Sequence, residues 1–264
     1  RDPETRAHAE YLLGQLTQEE ASSTADLSLR EDRFRAALSR YMKVTGSYPN
    51  TLHAARAQFK IATVFEQLRE PEIAAQEYVK LAYKYPESEH LGLSMARLGT
   101  HFLRTAARYE AKAKPLLAKT EDKDAQFDGM AMKKMATREY IKSANIFARL
   151  LERFPEHELA GKAGLRAGQA YMRAGENNQA VFTLLKVVNN ESFDGAQVRA
   201  PAMYWAGTTY QKMGDLMAAY SMYKRLTYDF PETKWAAFAR GRLSEEKLLL
   251  LERGLEIKRV EEGR

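Results

Sequence analysis

The chain repeats one pattern of small and aromatic residues, and this repetition restricts its fold more than any other feature. The pattern is an Ala-Gly pair followed by a tyrosine, a glycine and an alanine. A spacing of about 34 to 39 residues between copies is typical of stacked helical hairpins rather than of a closed globule. The sequence therefore predicts an all-α solenoid, with a break between two helices at Gly175-Glu176-Asn177. The two copies, 39 residues apart, are Ala167-Gly168, Tyr171, Gly175, Ala180 and Ala206-Gly207, Tyr210, Gly214, Ala219.

An aromatic residue followed by proline is the second recurring sign. Because proline cannot continue a helix and disfavours helical angles in the residue before it, each pair is predicted to end the second helix of a hairpin. The spacings between successive prolines are 37, 69 and 76 residues, and 69 is too long for one repeat. We interpret residues 110–130 as an insertion in the third hairpin, with a degenerate repeat as the alternative. The four pairs are Tyr48-Pro49, Tyr85-Pro86, Phe154-Pro155 and Phe230-Pro231.

These signs divide the chain into six segments, most of them a single hairpin. Apolar spacing within the segments predicts helices at 3–20, 29–46, 51–68, 71–84 and 131–153, and a final helix from 234 to about 258. The stretches 21–28, 119–129 and 189–199 are predicted as loops. The segments are a divergent N-terminal hairpin (1–50), a repeat (51–88), a repeat with the insertion (89–156), two further repeats (157–193 and 194–233) and a C-terminal capping helix (234–264).

Composition excludes several classes of protein. The 45% hydrophobic and 29% charged residues are ordinary for a folded domain, and the absence of cysteine excludes disulfides and thiolate metal sites. The net charge of +6 is spread along the chain, which favours acidic partner surfaces only mildly. The chain starts at Arg1-Asp2-Pro3 without a methionine, so we expect a processed piece that has lost any targeting signal or lipid anchor.

No combination of residues supports catalysis or cofactor binding. There is no Gly-x-Ser-x-Gly elbow, and the five histidines do not form a metal-ligand pair. Asp122, Asp124 and Asp128 resemble a calcium loop superficially, but Gly129 is misplaced and Lys133 stands where the closing glutamate should be. The prediction is a protein that is not an enzyme and has no catalytic residues, metal, cofactor or small-molecule substrate.

The repeats resemble the tetratricopeptide repeat (TPR) family. The resemblance extends over about residues 30–250 and implies a right-handed α-solenoid of helix-turn-helix hairpins that binds other proteins. Its residues in the 200–233 unit are Ala206-Gly207, Tyr210, Gly214, Ala219, Tyr223, Leu226 and Pro231. In the 55–88 unit they are Ala62, Phe65, Ala74, Tyr78, Leu81 and Pro86.

The turns Tyr-Pro-Glu-Ser and Phe-Pro-Glu-Thr are similar to those of TPR proteins in the bacterial cell envelope. These include the BamD-type outer-membrane-assembly lipoproteins and the Tol–Pal-associated periplasmic factor. The similarity implies a periplasmic or outer-membrane-associated scaffold, with membrane contact only through a lost anchor or a partner. A cytoplasmic location is the alternative.

TPR arrays bind extended peptides or partner helices on the concave face formed by the first helices of their hairpins. The repeat positions that line the groove in this family imply a mildly basic groove in this chain, suited to an acidic or C-terminal segment of a partner. Two alternatives stay open: RNA or another polyanion in the same groove, and the helical arm of a larger enzyme or secretion machine. No nucleic-acid partner is predicted. The implied groove residues are Arg56, Phe59, Thr63, Thr100, Leu103, Arg104, Lys162, Leu165, Gln169, Met172, Arg173, Tyr204, Thr208, Gln211 and Lys212.

Overall fold

A computed structural model of the protein describes residues 2–245 and Gly254. These residues form eleven α-helices and a short π-helix, Gly195–Arg199, and they contain no β-strand. The predicted all-α class with stacked helical hairpins is confirmed. The helices are α1 (Pro3–Ser23), α2 (Leu27–Ser47), α3 (Leu52–Gln67), α4 (Pro71–Lys84), α5 (Leu91–Leu117), α6 (Lys123–Arg153), α7 (Ala160–Ala174), α8 (Asn177–Val188), α9 (Ala200–Met213), α10 (Leu216–Asp229) and α11 (Lys234–Leu243).

The chain divides into two compact units. Unit 1 covers Arg1–His101 and unit 2 covers Phe102–Arg264, so that the boundary falls inside α5. Each unit has its own buried aromatic and aliphatic side chains, among them Tyr41 in unit 1 and Tyr223 in unit 2. None of the helices in the described part of the chain is both long and apolar enough to cross a membrane.

Small residues allow the two helices of a hairpin to approach closely, as the sequence predicted. In unit 2, a Cβ on Gly207 would lie 2.6 Å from Cε1 of Tyr223, and a Cβ on Gly168 would overlap the side chain of Leu184. In unit 1, Gly14 of α1 faces the ring of Tyr41 in the same way, with 2.7 Å between the added Cβ and Cε1. The glycines are therefore needed for helix packing.

The predicted helix ends are confirmed at both kinds of turn. Gly175 and Gly214 adopt left-handed backbone angles (φ of 88° and 84°) and end α7 and α9, a conformation that costs glycine little. The aromatic residue of each aromatic-Pro pair caps the helix before it. Its N–H donates to the carbonyl four residues earlier, as in Tyr85 to Leu81 (2.8 Å) and Phe230 to Leu226 (3.1 Å).

Four predicted boundaries were wrong. Helix α1 continues through Ser23 into the predicted loop 21–28, and α2 already begins at Leu27. Part of the predicted loop 189–199 forms the π-helix, whose start is capped by the Asp194 carboxylate accepting the N–H of Gln197 (2.7 Å). Helix α11 ends at Leu243 rather than near residue 258. The leucine run 248–251 and the rest of the predicted capping helix, except Gly254, lie outside the described residues.

A fifth difference concerns the start of α6, which was predicted near residue 131 and lies at Lys123. The Asp122 side chain caps the helix by accepting the N–H of Ala125 at 3.0 Å, so this aspartate has a local structural role. Gly129 lies inside the helix, where an added Cβ would stand 2.8 Å from Cγ of Leu117. The glycine that suggested a loop instead allows α5 and α6 to pack together.

Candidate functional site

All predicted groove residues lie on the first helices of hairpins, α3, α5, α7 and α9. In unit 1 the three on α3 make internal contacts. Arg56 Nε donates to Glu89 Oε1 at 2.7 Å, and Thr63 Oγ1 donates to the carbonyl of Lys60 at 2.8 Å. Phe59 is only 8% exposed and stacks on the His90 ring with 4.6 Å between ring centres. Phe59 therefore belongs to the core of unit 1 rather than to an open surface.

A cleft of 440 Å³ in unit 1 lies beside these residues, between the start of α3 and the turn that joins α4 to α5. Leu52 and Pro86 are among its apolar walls, and Glu87 and Glu89 are among its charged residues. The hydrogen bond from Arg56 holds the pKa of the Glu89 carboxyl below its usual range. Arg56 is thus already neutralised by Glu89, and this cleft is not the basic groove that the sequence implied.

In unit 2 a second cleft, of 170 Å³, brings four predicted residues together. They are Leu103 from α5 and Gln169, Met172 and Arg173 from α7. The same cleft is lined by three residues that the sequence reasoning missed, Ala107, Arg166 and Trp205. Helical spacing could have identified two of them, because Ala107 lies one turn after Leu103 and Arg166 almost one turn before Gln169.

Arg173 is held in place at this cleft by a network with α5 and α6. Its Nη1 donates to the hydroxyl of Tyr140 at 2.9 Å and lies 3.5 Å from Oε2 of Glu110, and the hydroxyl of Tyr140 donates to the same carboxylate at 2.5 Å. The hydrogen bond with Tyr140 is the main reason that the pKa of Arg173 is raised. A guanidinium has five N–H donors, so an oriented cation with spare donors lines the cleft.

Three of the four predicted residues of α9 have a different role, because their side chains contact α10, α11 and the chain after α11. The ring of Tyr204 packs against Trp235 (5.5 Å) and Phe238 (5.9 Å) of α11. Gln211 Nε2 donates to Oε2 of Glu245 at 2.6 Å, and the hydroxyl of Tyr223 lies 3.2 Å from the Thr208 hydroxyl. The side-chain polar groups of Thr208 and Gln211 are therefore occupied within the chain, whereas Lys212 is exposed.

The other predicted residues do not line the unit 2 cleft. Thr100 Oγ1 donates to the carbonyl of Ala96 at 2.7 Å, and Leu165 is half-buried. Arg104, Lys162 and Lys212 are exposed on α5, α7 and α9, respectively. They remain predictions for a surface around the cleft.

Comparison with known families identifies the repeats. The family described as "Tetratricopeptide repeat" matches residues 56–88 and 201–233. The chain contains tetratricopeptide repeats. The two TPR matches correspond to α3–α4 with the following turn in unit 1 and to α9–α10 with the following turn in unit 2. Among curated proteins, none matches the chain.

Solved structures with some similarity include TPR-like repeats. Two describe the nearly identical TPR-like repeats of a Podosopora anserina kinesin light chain protein, one of them in a variant form. Both are 13% identical to the chain and cover 86% of it and 96% of their own length, with TM-scores of 0.43 for the variant form and 0.41 for the other. A third is the assembly chaperone of RpL4 (Acl4, residues 1–338), at 11% identity, 89% and 98% coverage and a TM-score of 0.26.

Proposed function

We propose that unit 2 binds an extended, acidic segment of a partner protein in the cleft between α5, α7 and α9. Tetratricopeptide repeats are protein-interaction modules, typically scaffolds rather than catalysts, so the general function of the chain is protein binding. The observation that carries the finer proposal is the convergence of Leu103, Arg173 and Trp205, from three successive first helices, on one cleft.

The chemistry of the cleft suits one anchoring side chain and nearby carboxylates. Leu103, Met172 and Trp205 provide apolar surface, whose burial contributes about 25 cal/mol per Å². Arg166 and Arg173 provide planar guanidinium groups, which bind carboxylates through charge-assisted hydrogen bonds. A volume of 170 Å³ is smaller than the roughly 300 Å³ at which small-molecule sites begin, so it fits a side chain of a peptide better than a free ligand.

Site-specific photo-cross-linking tests this proposal. A photo-reactive amino acid at Gln169 of the full-length protein, expressed in its own host, would mark the segment bound at the cleft. We expect mass spectrometry to identify an extended protein segment rich in aspartate and glutamate. Cross-linking to nucleic acid alone, with binding that weakens steeply with salt, would instead support the polyanion alternative.

The affinity of the wild type and of arginine variants for the identified segment then shows whether Arg166 and Arg173 contribute to binding. Trp205 and Trp235 are the only tryptophans, so the Trp235→Phe background makes fluorescence report on the cleft. We expect R166E/R173E to weaken binding at least tenfold, because each lost charged hydrogen bond is worth about 1.5–3 kcal/mol. The control K84E/R149E reverses two exposed charges outside the cleft and should change affinity less than twofold. Equal losses in both variants would contradict the proposal.

We also propose that the protein works in a bacterial cell-envelope assembly. The support is the similarity of its Tyr-Pro-Glu-Ser and Phe-Pro-Glu-Thr turns to those of envelope TPR proteins. Fractionation of cells that express the complete gene with a C-terminal tag tests this location. Recovery in the periplasmic or outer-membrane fraction is expected, and recovery in the cytosol alone would refute it.

A further inference from the structure

The first half of α6 extends beyond the helix that packs on its second half. Helix α6 has 31 residues, whereas α4 and α10 have 14 each, and the excess of 17 corresponds to about 25 Å at 1.5 Å per residue. Helix α7, which has only 15 residues, contacts the second half of α6 through Arg173 on Tyr140 and Tyr171 on Asn145. In the first half of α6, Gly129 faces Leu117 at the end of α5, and Gln126 Nε2 donates to the carbonyl of Leu117 at 3.0 Å.

This projecting part of α6 exposes an apolar stripe. Phe127, Met130 and Met135 are 70%, 57% and 48% exposed, and Ala131 between them is exposed too. Their spacing of i, i+3, i+4 and i+8 places them on one side of the helix, opposite the buried residues Ala125, Gly129 and Ala136. A contiguous exposed apolar surface marks an interaction site, and methionine adapts its shape to different partners.

Basic residues accompany the stripe. Lys123, Lys134 and Arg138 lie on the same side of α6 as Phe127, at i−4, i+7 and i+11 from it. None of the three forms an ion pair among the described residues. The charge is also unevenly divided along the chain. Unit 1 has 13 basic and 14 acidic residues, whereas unit 2 has 28 and 21, so the whole positive excess lies in unit 2.

We propose that this surface, here called the α6 tip surface, binds an amphipathic helix of a partner protein whose apolar face is bordered by acidic residues. It consists of the Phe127–Met135 stripe and the three flanking cations. A stripe about two and a half turns long suits the i, i+3, i+4, i+7 anchors of a helix. Acidic residues on that helix would pair with Lys123, Lys134 and Arg138.

Two other occupants fit less well. Asp124 and Asp128 lie at one edge of the same exposed side, where they would face an anionic lipid surface and repel it. When a partner helix binds, Asp124 and Asp128 border only one edge of the interface. The partner helix can place a neutral or basic residue at that edge. A second copy of this chain would bring the same cations together in a face-to-face antiparallel pair, which like charges disfavour.

Selection from a displayed peptide library tests the proposal against all candidate segments at once. The full chain and its F127E/M130E variant are each used to select segments of about 25 residues tiled over the host proteome. The control V79E/Y83E places two glutamates on exposed apolar positions of α4, so it matches the substitutions without touching the α6 tip surface. Both altered pairs are exposed, and circular dichroism checks that the helices are retained.

Some segments should be enriched on the wild type and on the control but depleted at least tenfold on F127E/M130E. We expect these segments to have apolar residues at helical spacing and a net negative charge. K123E/K134E should deplete the same segments. The proposal is overturned if no segment depends on Phe127 and Met130, or if the segments that depend on them are basic or lack helical periodicity. It is also overturned if the chain co-sediments with phosphatidylserine vesicles and this co-sedimentation requires Phe127. Segments that depend only on Arg166 and Arg173 belong to the cleft, so the two proposals can fail separately.

Discussion

Arg173 lies against Tyr140, with 2.9 Å from its Nη1 to the phenol oxygen and 5.6 Å from the guanidinium carbon to the ring centre. The tyrosine ring is buried, whereas the arginine is half-exposed at the edge of the cleft. One buried side chain thus determines where an exposed cation is held. Tyr140, a core residue of α6, therefore orients a cation of α7 at the proposed binding cleft.

Removal of that hydroxyl should weaken both packing and binding. We expect Tyr140→Phe to lower the free energy of unfolding by about 0.5–1.5 kcal/mol, because it deletes the hydrogen bonds to Glu110 and Arg173. It should also weaken binding of a cleft peptide, because Arg173 loses its orientation. Urea denaturation and peptide titration measure the two effects. Arg173→Lys keeps the charge, so a full retention of affinity in that variant would show that orientation is unimportant.

Close helix packing should make Gly168→Ala destabilising, although alanine is the better helix former by about 1 kcal/mol. The added Cβ would overlap the side chain of Leu184, and overpacking costs about 1–3 kcal/mol. Gly46→Ala is the matched control, since nothing lies within 4 Å of its added Cβ. We expect thermal unfolding at a lower temperature for G168A and an unchanged or higher temperature for G46A. An equal response of the two variants would refute the packing role.

Acidification should destabilise unit 1 through His90. Burial lowers the pKa of its imidazole below the ordinary 6.5, and Arg56 and Lys60 lower it further while Glu89 opposes them. The folded state therefore favours neutral His90, and its contribution is present above pH 6.5 and lost as the pH falls through the lowered pKa. The pKa of Glu89 is lowered too, from an ordinary 4.5, so its contribution to stability is lost only in more acidic solution.

Hydrogen exchange of unit 1 amides between about pH 7 and 5 measures this loss, after correction for the intrinsic pH dependence of exchange. His90→Phe keeps an aromatic ring for the stack on Phe59 but cannot titrate. We expect the stability of this variant to change less over the same range. If the wild type and H90F lose stability in parallel, His90 is not the group responsible.

Trp235 should hold α11 on α9. Its ring packs against Tyr204 and Trp205 of α9, at 5.5 and 6.2 Å between ring centres. We expect Trp235→Ala to raise hydrogen exchange in α11 at least tenfold while α7 and α8 keep their protection, because the substitution removes most of this aromatic contact. Tyr228→Ala on α10, an 86% exposed aromatic residue, is the control and should leave α11 protected. Unchanged exchange in W235A would show that other contacts hold the helix.

Much of the fold could be predicted from the sequence because its determinants are local. The period of Ala-Gly and tyrosine residues indicated the hairpins, and the aromatic-Pro pairs indicated the ends of α2, α4, α6 and α10. The start of α6 could not be predicted in this way. Gly129 and its charged neighbours have the composition of a loop, and only the facing Leu117 shows why a glycine occurs inside that helix.

The sequence by itself determined the repeat, the helix pairing and the helices on which the predicted groove residues lie, because periodicity and backbone restrictions act over a few residues. Only the tertiary structure decided which of those residues are open to a partner. Arg56 is neutralised by Glu89 and Gln211 is bonded to Glu245, whereas Arg173 lines a cleft that also includes Leu103 and Trp205. The physical reason is that availability depends on charges and rings far away in the chain, which meet only when the helices pack.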